Sequence, residues 1–369
     1  MAQTPLIAVV ARGLEDVAAR ELRALGGGIG KTRKDRGRVT FEGPPDALIR
    51  ANLQLRTVDR ILLPVGQPTE AKNAAALVRF ASGLPWERWI PSGTPVAIAA
   101  SARGCGLYHT GLVADALREA LVSRGLSGEA PEGPSALTID ARGTGDLWTL
   151  ALDTSGGALH RRGYRQDGGA APLRETLAAA LLLRIGWTGD VPLLDPMAGS
   201  GTIACEAGLI ATGRAPGRLR SFAFQSFASH DPTAMQAVLD RLENDERPAP
   251  ASIVASDLAA SAVKAARSNV VRAGLEDAVS VVKRTLQETP RKEGPGVIVT
   301  NPPYGKRIGD AASAQGEWAA WGDALRAARP GWSIYALSPD RSLADAMGGG
   351  KPLLRFSNGG ISVALVQIA

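Results

Sequence analysis

From residue 191 onward the chain alternates between short apolar runs and helix-length amphipathic stretches, and this rhythm restricts the fold more than any other feature. Apolar runs at 191–195, 252–256, 278–282, 297–300 and 332–337 read as strands, and helical periodicity covers 201–213, 259–273, 317–328 and 340–347. An Ala/Leu-rich helix over 172–185 leads into the series. Strands separated by helices must pair in parallel, with the helices covering both faces, so the expected architecture is a doubly wound, Rossmann-like α/β sheet. The last two strands, 352–356 and 361–368, flank Asn358-Gly-Gly360 and predict an antiparallel hairpin that closes the sheet. Residues 214–251 break the rhythm with Pro216, Phe222, Phe224, Phe227, a helical stretch and Pro248-Ala-Pro250. That segment reads either as an insertion packed over the active-site face or as a surface excursion.

The front of the chain has another texture. Strands at 6–10 and 38–42 bracket a helix over 14–25, in which Leu14, Val17, Ala18, Leu22 and Leu25 share one face and Gly26-Gly-Gly28 ends the run. A helix begins at 46–52, and strands near 58–65 and 95–101, a helix over 110–124, and strands at 136–140 and 147–153 follow, with Gly143-Thr-Gly145 as the turn of the last pair. This is an α+β region. It also holds the charge excess: residues 1–165 carry 21 Lys+Arg against 16 Asp+Glu, a net of +5, whereas residues 166–369 carry 21 against 20, a net of +1. The excess suits a part that meets a polyanion, or is simply a basic surface. Lys31, Arg33, Lys34, Arg36 and Arg38 cluster near an early turn, which reads as a solvated face or as a nucleic-acid contact. No apolar run approaches the roughly 18 residues of a membrane span, no leader pattern opens the chain, and Cys105 and Cys205 fit neither a disulfide framework nor a metal spacing. A cytoplasmic protein without a metal or a membrane partner is expected.

Three strings carry chemistry. The first runs Leu193-Leu-Asp195-Pro196-Met197-Ala-Gly199-Ser200-Gly201-Thr202, from a strand into a helix. The glycines let backbone approach a ligand at the helix start, as in many nucleotide sites. An acid at the strand end repels a pyrophosphate but suits the α-ammonium group of S-adenosylmethionine. The second is Asp257, closing the next strand, where a carboxylate accepts from the two ribose hydroxyls or caps the following helix. The third is Asn301-Pro302-Pro303-Tyr304-Gly-Lys306-Arg307, after the 297–300 strand. The Asn301 amide oxygen and the Pro302 carbonyl can both accept from an –NH2 group, consecutive prolines fix those acceptors, and Tyr304 offers a face on which a planar group stacks. A base amine and a side-chain amide fit equally. At the position after strand 278–282 where an acid often reads the adenine amine, the chain has Thr285 instead. Arg161, Arg162 and Arg165 surround Tyr164 between the halves and read either as contacts to a phosphate backbone or as a solvated linker.

Together these strings resemble the THUMP-domain class I RNA methyltransferases, in the branch that methylates guanine N2 in large-subunit ribosomal RNA. Gly13-Leu-Glu-Asp16, Glu21-Leu22 and Arg38-Val-Thr-Phe41 resemble the family's ferredoxin-like start, and Asn52-Leu-Gln-Leu-Arg56 with Asp59-Arg-Ile-Leu-Leu63 its entry into the THUMP region. His160-Arg-Arg-Gly-Tyr-Arg165, Ala171-Pro-Leu-Arg-Glu-Thr176, the Asp195 string and Asn301-Pro-Pro-Tyr304 resemble its catalytic half. The resemblance implies a ferredoxin-like domain over 1–57, a THUMP RNA-binding domain over 58–160 and an S-adenosylmethionine-dependent methyltransferase domain over 161–369. It implies Asp195 to Thr202, Asp257 and Thr285 around the cofactor, Asn301 to Tyr304 at the reacting amine, and Arg161, Arg162, Arg165, Lys306 and Arg307 on structured RNA, ribosomal or transfer. Two other readings remain open. Protein glutamine N5-methyltransferases use the same Asn-Pro-Pro-Tyr but place a small helical domain in front, and a non-catalytic RNA-binding relative would lose Asn301 or the glycines.

Overall fold

The computed structural model describes residues 3–126, 137–166, 173–303, 311–358 and 360–368. The front half runs β1 (Thr4–Val10), α1 (Glu15–Leu25), β2 (Arg33–Asp35), β3 (Arg38–Gly43), α2 (Ala47–Gln54), β4 (Val58–Pro64), β5 (Thr69–Glu70), α3 (Ala74–Ser82), β6 (Val96–Arg103), α4 (Thr110–Ser123), β7 (Leu137–Thr144) and β8 (Leu147–Asp153). Its eight strands form one sheet in the order β2-β3-β1-β4-β8-β7-β6, with β5 beside β8. β4 bonds β1 on one side and β8 on the other, so the sheet is continuous across residues 57 and 58. The β7–β8 turn is Gly145-Asp146, with φ of 57° and 65°. Two left-handed residues match the twist of a hairpin, and so Gly143 and Thr144, read from sequence as turn, belong to β7.

The second half contains α5 (Glu175–Arg184), β9 (Leu193–Asp195), α6 (Thr202–Ala211), α7 (Pro232–Asn244), β10 (Ile253–Asp257), α8 (Ala260–Arg272), β11 (Val279–Lys283), β12 (Val297–Thr300), α9 (Ala311–Ala328), β13 (Ser333–Ser338), α10 (Arg341–Ala346), β14 (Pro352–Asn358) and β15 (Ile361–Gln367). The sheet order is β11-β10-β9-β12-β13-β15-β14. The five strands from β11 to β13 are parallel, and β15 and β14 close the sheet in antiparallel fashion. This is the expected Rossmann-like sheet with its terminal hairpin. No helix of the described residues is long and apolar enough to cross a membrane.

The halves share their cores through α1. Ala18, Ala19 and Leu22 face the front core, whereas Leu14 and Val17 join the core of the second half. The insertion performs the reverse exchange. Phe222, Phe224, Phe227, Met235 and Val238 all pack into the front core. The segment therefore does not cover the active-site face. Topology supplies the reason: it connects α6 to β10, and helix-to-strand connections lie at the strands' N-terminal ends, opposite the carboxyl ends where ligands bind.

The junction string also departs from its sequence reading. Arg162 and Tyr164 are fully buried, with Tyr164 Oη donating to Glu206 at 3.0 Å and the Arg162 guanidinium 3.4–3.5 Å from the same carboxylate. Arg162 also donates to the carbonyls of Leu159 and Arg56. Arg165 makes a two-pronged bond to Glu175, both contacts 2.9 Å. Neither Arg162 nor Arg165 is available to RNA, and only Arg161 of the three is exposed. A buried carboxylate claims the same residue types that a phosphate would.

Removing that carboxylate strands a buried cation, which costs about 3–5 kcal/mol. Glu206→Ala should lower the urea midpoint accordingly, while Arg118→Ala, in an exposed pair with Asp115, should cost less than about 1 kcal/mol. Equal effects of the two would show that the Glu206 cluster does not hold the junction.

Candidate active site

The carboxyl ends of β9, β10, β11 and β12 open onto a cavity of about 550 Å³. Asp195, Pro196, Met197, Gly199, Ser200, Thr202, Asp257, Thr285, Asn301 and Pro303 line it, so one site gathers residues that the sequence places on four separate strand ends. Gly201 and Pro302 lie just behind the wall, and Tyr304, Lys306 and Arg307 fall outside the described residues.

The loop from β9 to α6 is held on every side. Gly199 and Gly201 have φ of 53° and 78°, a region that side chains rarely adopt. A Cβ on Gly201 would also lie 3.0 Å from Ala266 Cβ, so glycine is needed there for the close passage of α8. Ala198 N–H donates to the Ser256 carbonyl at 3.0 Å, Gly199 N–H to Asp257 Oδ2 at 2.8 Å, and Asn269 Nδ2 to the Ser200 carbonyl at 2.9 Å. Asp257 also accepts from Ala259 N–H at 2.9 Å; Ala259, not Asp257, is the N-cap of α8 and the helix has no side-chain cap, so Asp257 braces the turn that leads into the helix while it braces the loop. These bonds leave each Asp257 oxygen a free lone pair for a ligand.

Asp195 is buried, and burial pushes its carboxyl up to about 7, reinforced by the Asp257 charge and only partly offset by the Met197 N–H. A cation brought to it would meet a group that readily ionises. Asn301 presents the complementary feature. Its Oδ1 is buried and has no hydrogen-bond partner among the described residues, while the Thr300 hydroxyl beside it faces the Asp195 carboxyl and helps to lower it. A buried acceptor without a donor is uncommon in a folded protein and marks a place prepared for one. Thr285 lines the cavity, but its hydroxyl oxygen accepts from Glu288 N–H at 3.2 Å while its own N–H donates to Glu288 Oε2 at 2.9 Å. The loop thus spends that oxygen on itself.

Sequence reasoning missed the apolar walls, Leu173, Leu258, Leu286 and Trp321, and the polar Arg284 and Gln287. Arg284, Leu286 and Gln287 adjoin the flagged Thr285 and were within reach. Trp321 was not: it lies within the helix expected over 317–328, outside every flagged string, and nothing local tells which residue of that helix meets the cavity; α9 itself begins at 311, its first turns, rich in Ala, Ser and Gln, showing no apolar stripe.

Comparison with known proteins agrees with this geometry. A family model described as the RMKL-like methyltransferase domain matches residues 162–355, and one described as the RlmL ferredoxin-like domain matches residues 5–62. YpsC of Bacillus subtilis, provisionally named an RNA methyltransferase, is 34% identical over 357 residues, which cover 94% of this chain and 91% of YpsC. A ribosomal RNA large subunit methyltransferase K/L of Marinomonas is 33% identical over 348 residues, 90% of this chain but 48% of that protein, so this chain spans about half its length. The crystal structure of SMU.472, provisionally a methyltransferase and complexed with SAH, superposes with a TM-score of 0.88 at 30% identity, covering 100% of this chain and 98% of that one.

The raised Asp195 carboxyl yields a pH prediction. In the empty protein the neutral form is favoured: its contribution to stability is full below the ordinary value of 3.8 and is lost progressively as the pH rises from there through about 7, where the folded protein must ionise a buried group. S-Adenosylmethionine, carrying an α-ammonium group, favours the ionised form, so its affinity should rise from pH 6 to 8 with proton release on binding. Calorimetry in buffers of different ionisation enthalpy measures that release. Asp195→Asn should flatten the dependence, and an unchanged pH profile in that variant would mean another group titrates.

Proposed function

Because this chain belongs to the RMKL-like family of S-adenosylmethionine-dependent methyltransferases, we propose that it methylates the exocyclic 2-amino group of a guanosine in structured RNA, ribosomal RNA before transfer RNA. The K/L relatives are named for large-subunit ribosomal RNA, and the basic front half supports a polyanionic substrate. In this reading residues 1–57 form a ferredoxin-like unit, 58–160 a THUMP region that holds the RNA, and 161–369 the methyltransferase domain.

The observation that carries the proposal is that Asn301, on the cavity wall, has a buried Oδ1 without a partner among the described residues. Bound there, S-adenosylmethionine supplies an electrophilic methyl group. Asp195 would face its ammonium group, the backbone of the Gly199–Thr202 turn would pass close to it, and Asp257 would accept from its ribose hydroxyls. Asn301 and the Pro302 carbonyl accept from the two N–H bonds of the target amine and so orient its lone pair. Positive charge develops on that nitrogen during attack, and both acceptors stabilise it more than they stabilise the ground state. The proton leaves afterwards to solvent, so no strong base is required. Tyr304 stacks on the base. A glutamine side chain would satisfy the same acceptors, but its enzymes need a small helical domain in front, and here the front is an eight-stranded sheet.

Deleting the gene should remove one N2-methylguanosine from large-subunit ribosomal RNA, read by digestion and mass spectrometry. With that RNA as substrate, Asn301→Ala should slow single turnover by about two orders of magnitude with little change in cofactor affinity. Wild-type turnover by the variant would place the chemistry elsewhere.

A further inference from the structure

The front half carries one aromatic side chain set apart from all the others described. Trp86, Trp148, Phe222, Phe224 and Phe227 are buried, whereas Tyr108 is 64% exposed, the sole aromatic among the large exposed hydrophobics of the described residues. Its ring lies 4.2 Å from that of His109, tilted by 36°. The connection that bears it, between β6 and α4, is pinned. Cys105 and Leu107 are buried on either side of Gly106, whose N–H donates to Asp146 Oδ1 at 2.6 Å and whose backbone passes so near the Lys72 carbonyl that a Cβ would lie 2.9 Å from it. Asp146 belongs to the β7–β8 turn, so Tyr108 is presented from a fixed loop against a hairpin. Two more exposed hydrophobics, Leu112 and Leu147, belong to the helix and the hairpin that meet there.

The sheet beside this loop is cationic. Ser101 pairs with Arg142 and Arg103 with Thr144, so the two arginines share a face with small side chains. Ala99, Ser101 and Arg103 are exposed along it. Neither arginine has an ion-pair partner among the described residues. The charged groups nearest Arg142 are Arg38, Arg12, Asp35 and Asp140, and Asp140 is already bound by Arg38 at 2.9 Å.

We propose that Tyr108, with His109 beside it, and the Arg103–Arg142 face of the front sheet form a docking surface for a single-stranded stretch of the substrate RNA, Tyr108 stacking on a base and the arginines contacting phosphates. The proposal rests on the RNA reading of the active site. A bare apolar patch would suit another protein, but unpaired guanidinium groups beside an exposed ring match the two faces of a nucleotide strand, one planar and one anionic. The short side chains of Ala99 and Ser101 let a backbone approach the arginines, and the fixed loop means that little ordering is needed on binding.

The test uses the full chain, a fluorescein-labelled oligoribonucleotide of mixed sequence, and a blunt duplex of the same length. Anisotropy should show Tyr108→Ala weakening single-strand binding by about tenfold or more, Tyr108→Phe staying within about twofold of wild type, and S-adenosylhomocysteine affinity unchanged in both. Arg103→Ala and Arg142→Ala should each lower the slope of log affinity against log salt by about 0.7. Single-strand binding by Tyr108→Ala equal to wild type would overturn the proposal, and so would an equal loss on single strand and duplex, since a paired base offers no face to stack. Wild type that binds neither probe would instead bring down the RNA reading itself.

Discussion

The Glu206 carboxylate is the constraint from which the arrangement of the two halves follows. It sits on α6, a helix otherwise apolar from Ile203 to Ala211, one turn beyond the loop that lines the cavity. A carboxylate buried there is unfavourable unless fully paired, and its partners, Arg162 and Tyr164, come from the segment joining the halves. Arg162 reaches on to the Arg56 carbonyl, and Arg56 in turn donates to the carbonyls of Leu209 and Arg214 at the far end of α6. Glu21 on α1 accepts from the N–H groups of Arg56 and Thr57 and from the Thr57 hydroxyl. Apart from Arg56 Nη1, which is buried without a partner among the described residues, these groups find their partners only with both halves in place, so the network fixes where the front sheet stands relative to the helix that starts the cofactor loop.

A second clamp works from the insertion. Arg220 donates to the carbonyls of Ser155, Gly157, Ala158 and Arg161, so one side chain grips four carbonyls of the connecting segment. Phe224 N–H donates to the Thr154 carbonyl, while its ring lies in the front core 5.5 Å from that of Phe222. A segment belonging by sequence to the methyltransferase half is thus a structural part of the front half. It holds the two parts as one body, which a substrate spanning both requires.

The second half was legible because its signals are local. Strand and helix periods switch cleanly, and the predicted strands agree with the observed ones to within a residue or two. Two front elements escaped: β2, the charged Arg33–Asp35, has no apolar pattern, and α3 was overlooked although Ala74–Ser82 is largely apolar and Asn73 caps it by accepting from Ala76 N–H. The site was legible for a different reason. Asp195, Asp257 and Asn301 each end a strand, and a parallel sheet brings the carboxyl ends of its strands together whatever the loops between them. What could not be read was the partner of a charge. His160 to Arg165 has the composition of a phosphate contact, and the carboxylate that Arg162 and Tyr164 share lies more than 40 residues away on a helix that looks purely structural.

The same comparison separates the two kinds of buried polar group in this protein. At the junction, Glu206, Arg162, Tyr164, Thr57 and Glu21 find one another, and such a network rigidifies because every member is satisfied. On the cavity side the pattern is opposite. Asn301 Oδ1, where β12 ends, is buried without a partner among the described residues. Asp195 nearby is buried with a weak backbone donor at 3.4 Å and the Thr300 side chain, and its carboxyl is pushed far from its ordinary value. Both groups cost stability in the empty protein, and in the proposed reading an arriving donor or cation would relieve them. The rigid junction supports that cost: a strained set of acceptors keeps its geometry only when the helices and strands bearing it cannot relax, and α6 and the loop before it are held by the satisfied network on their far side.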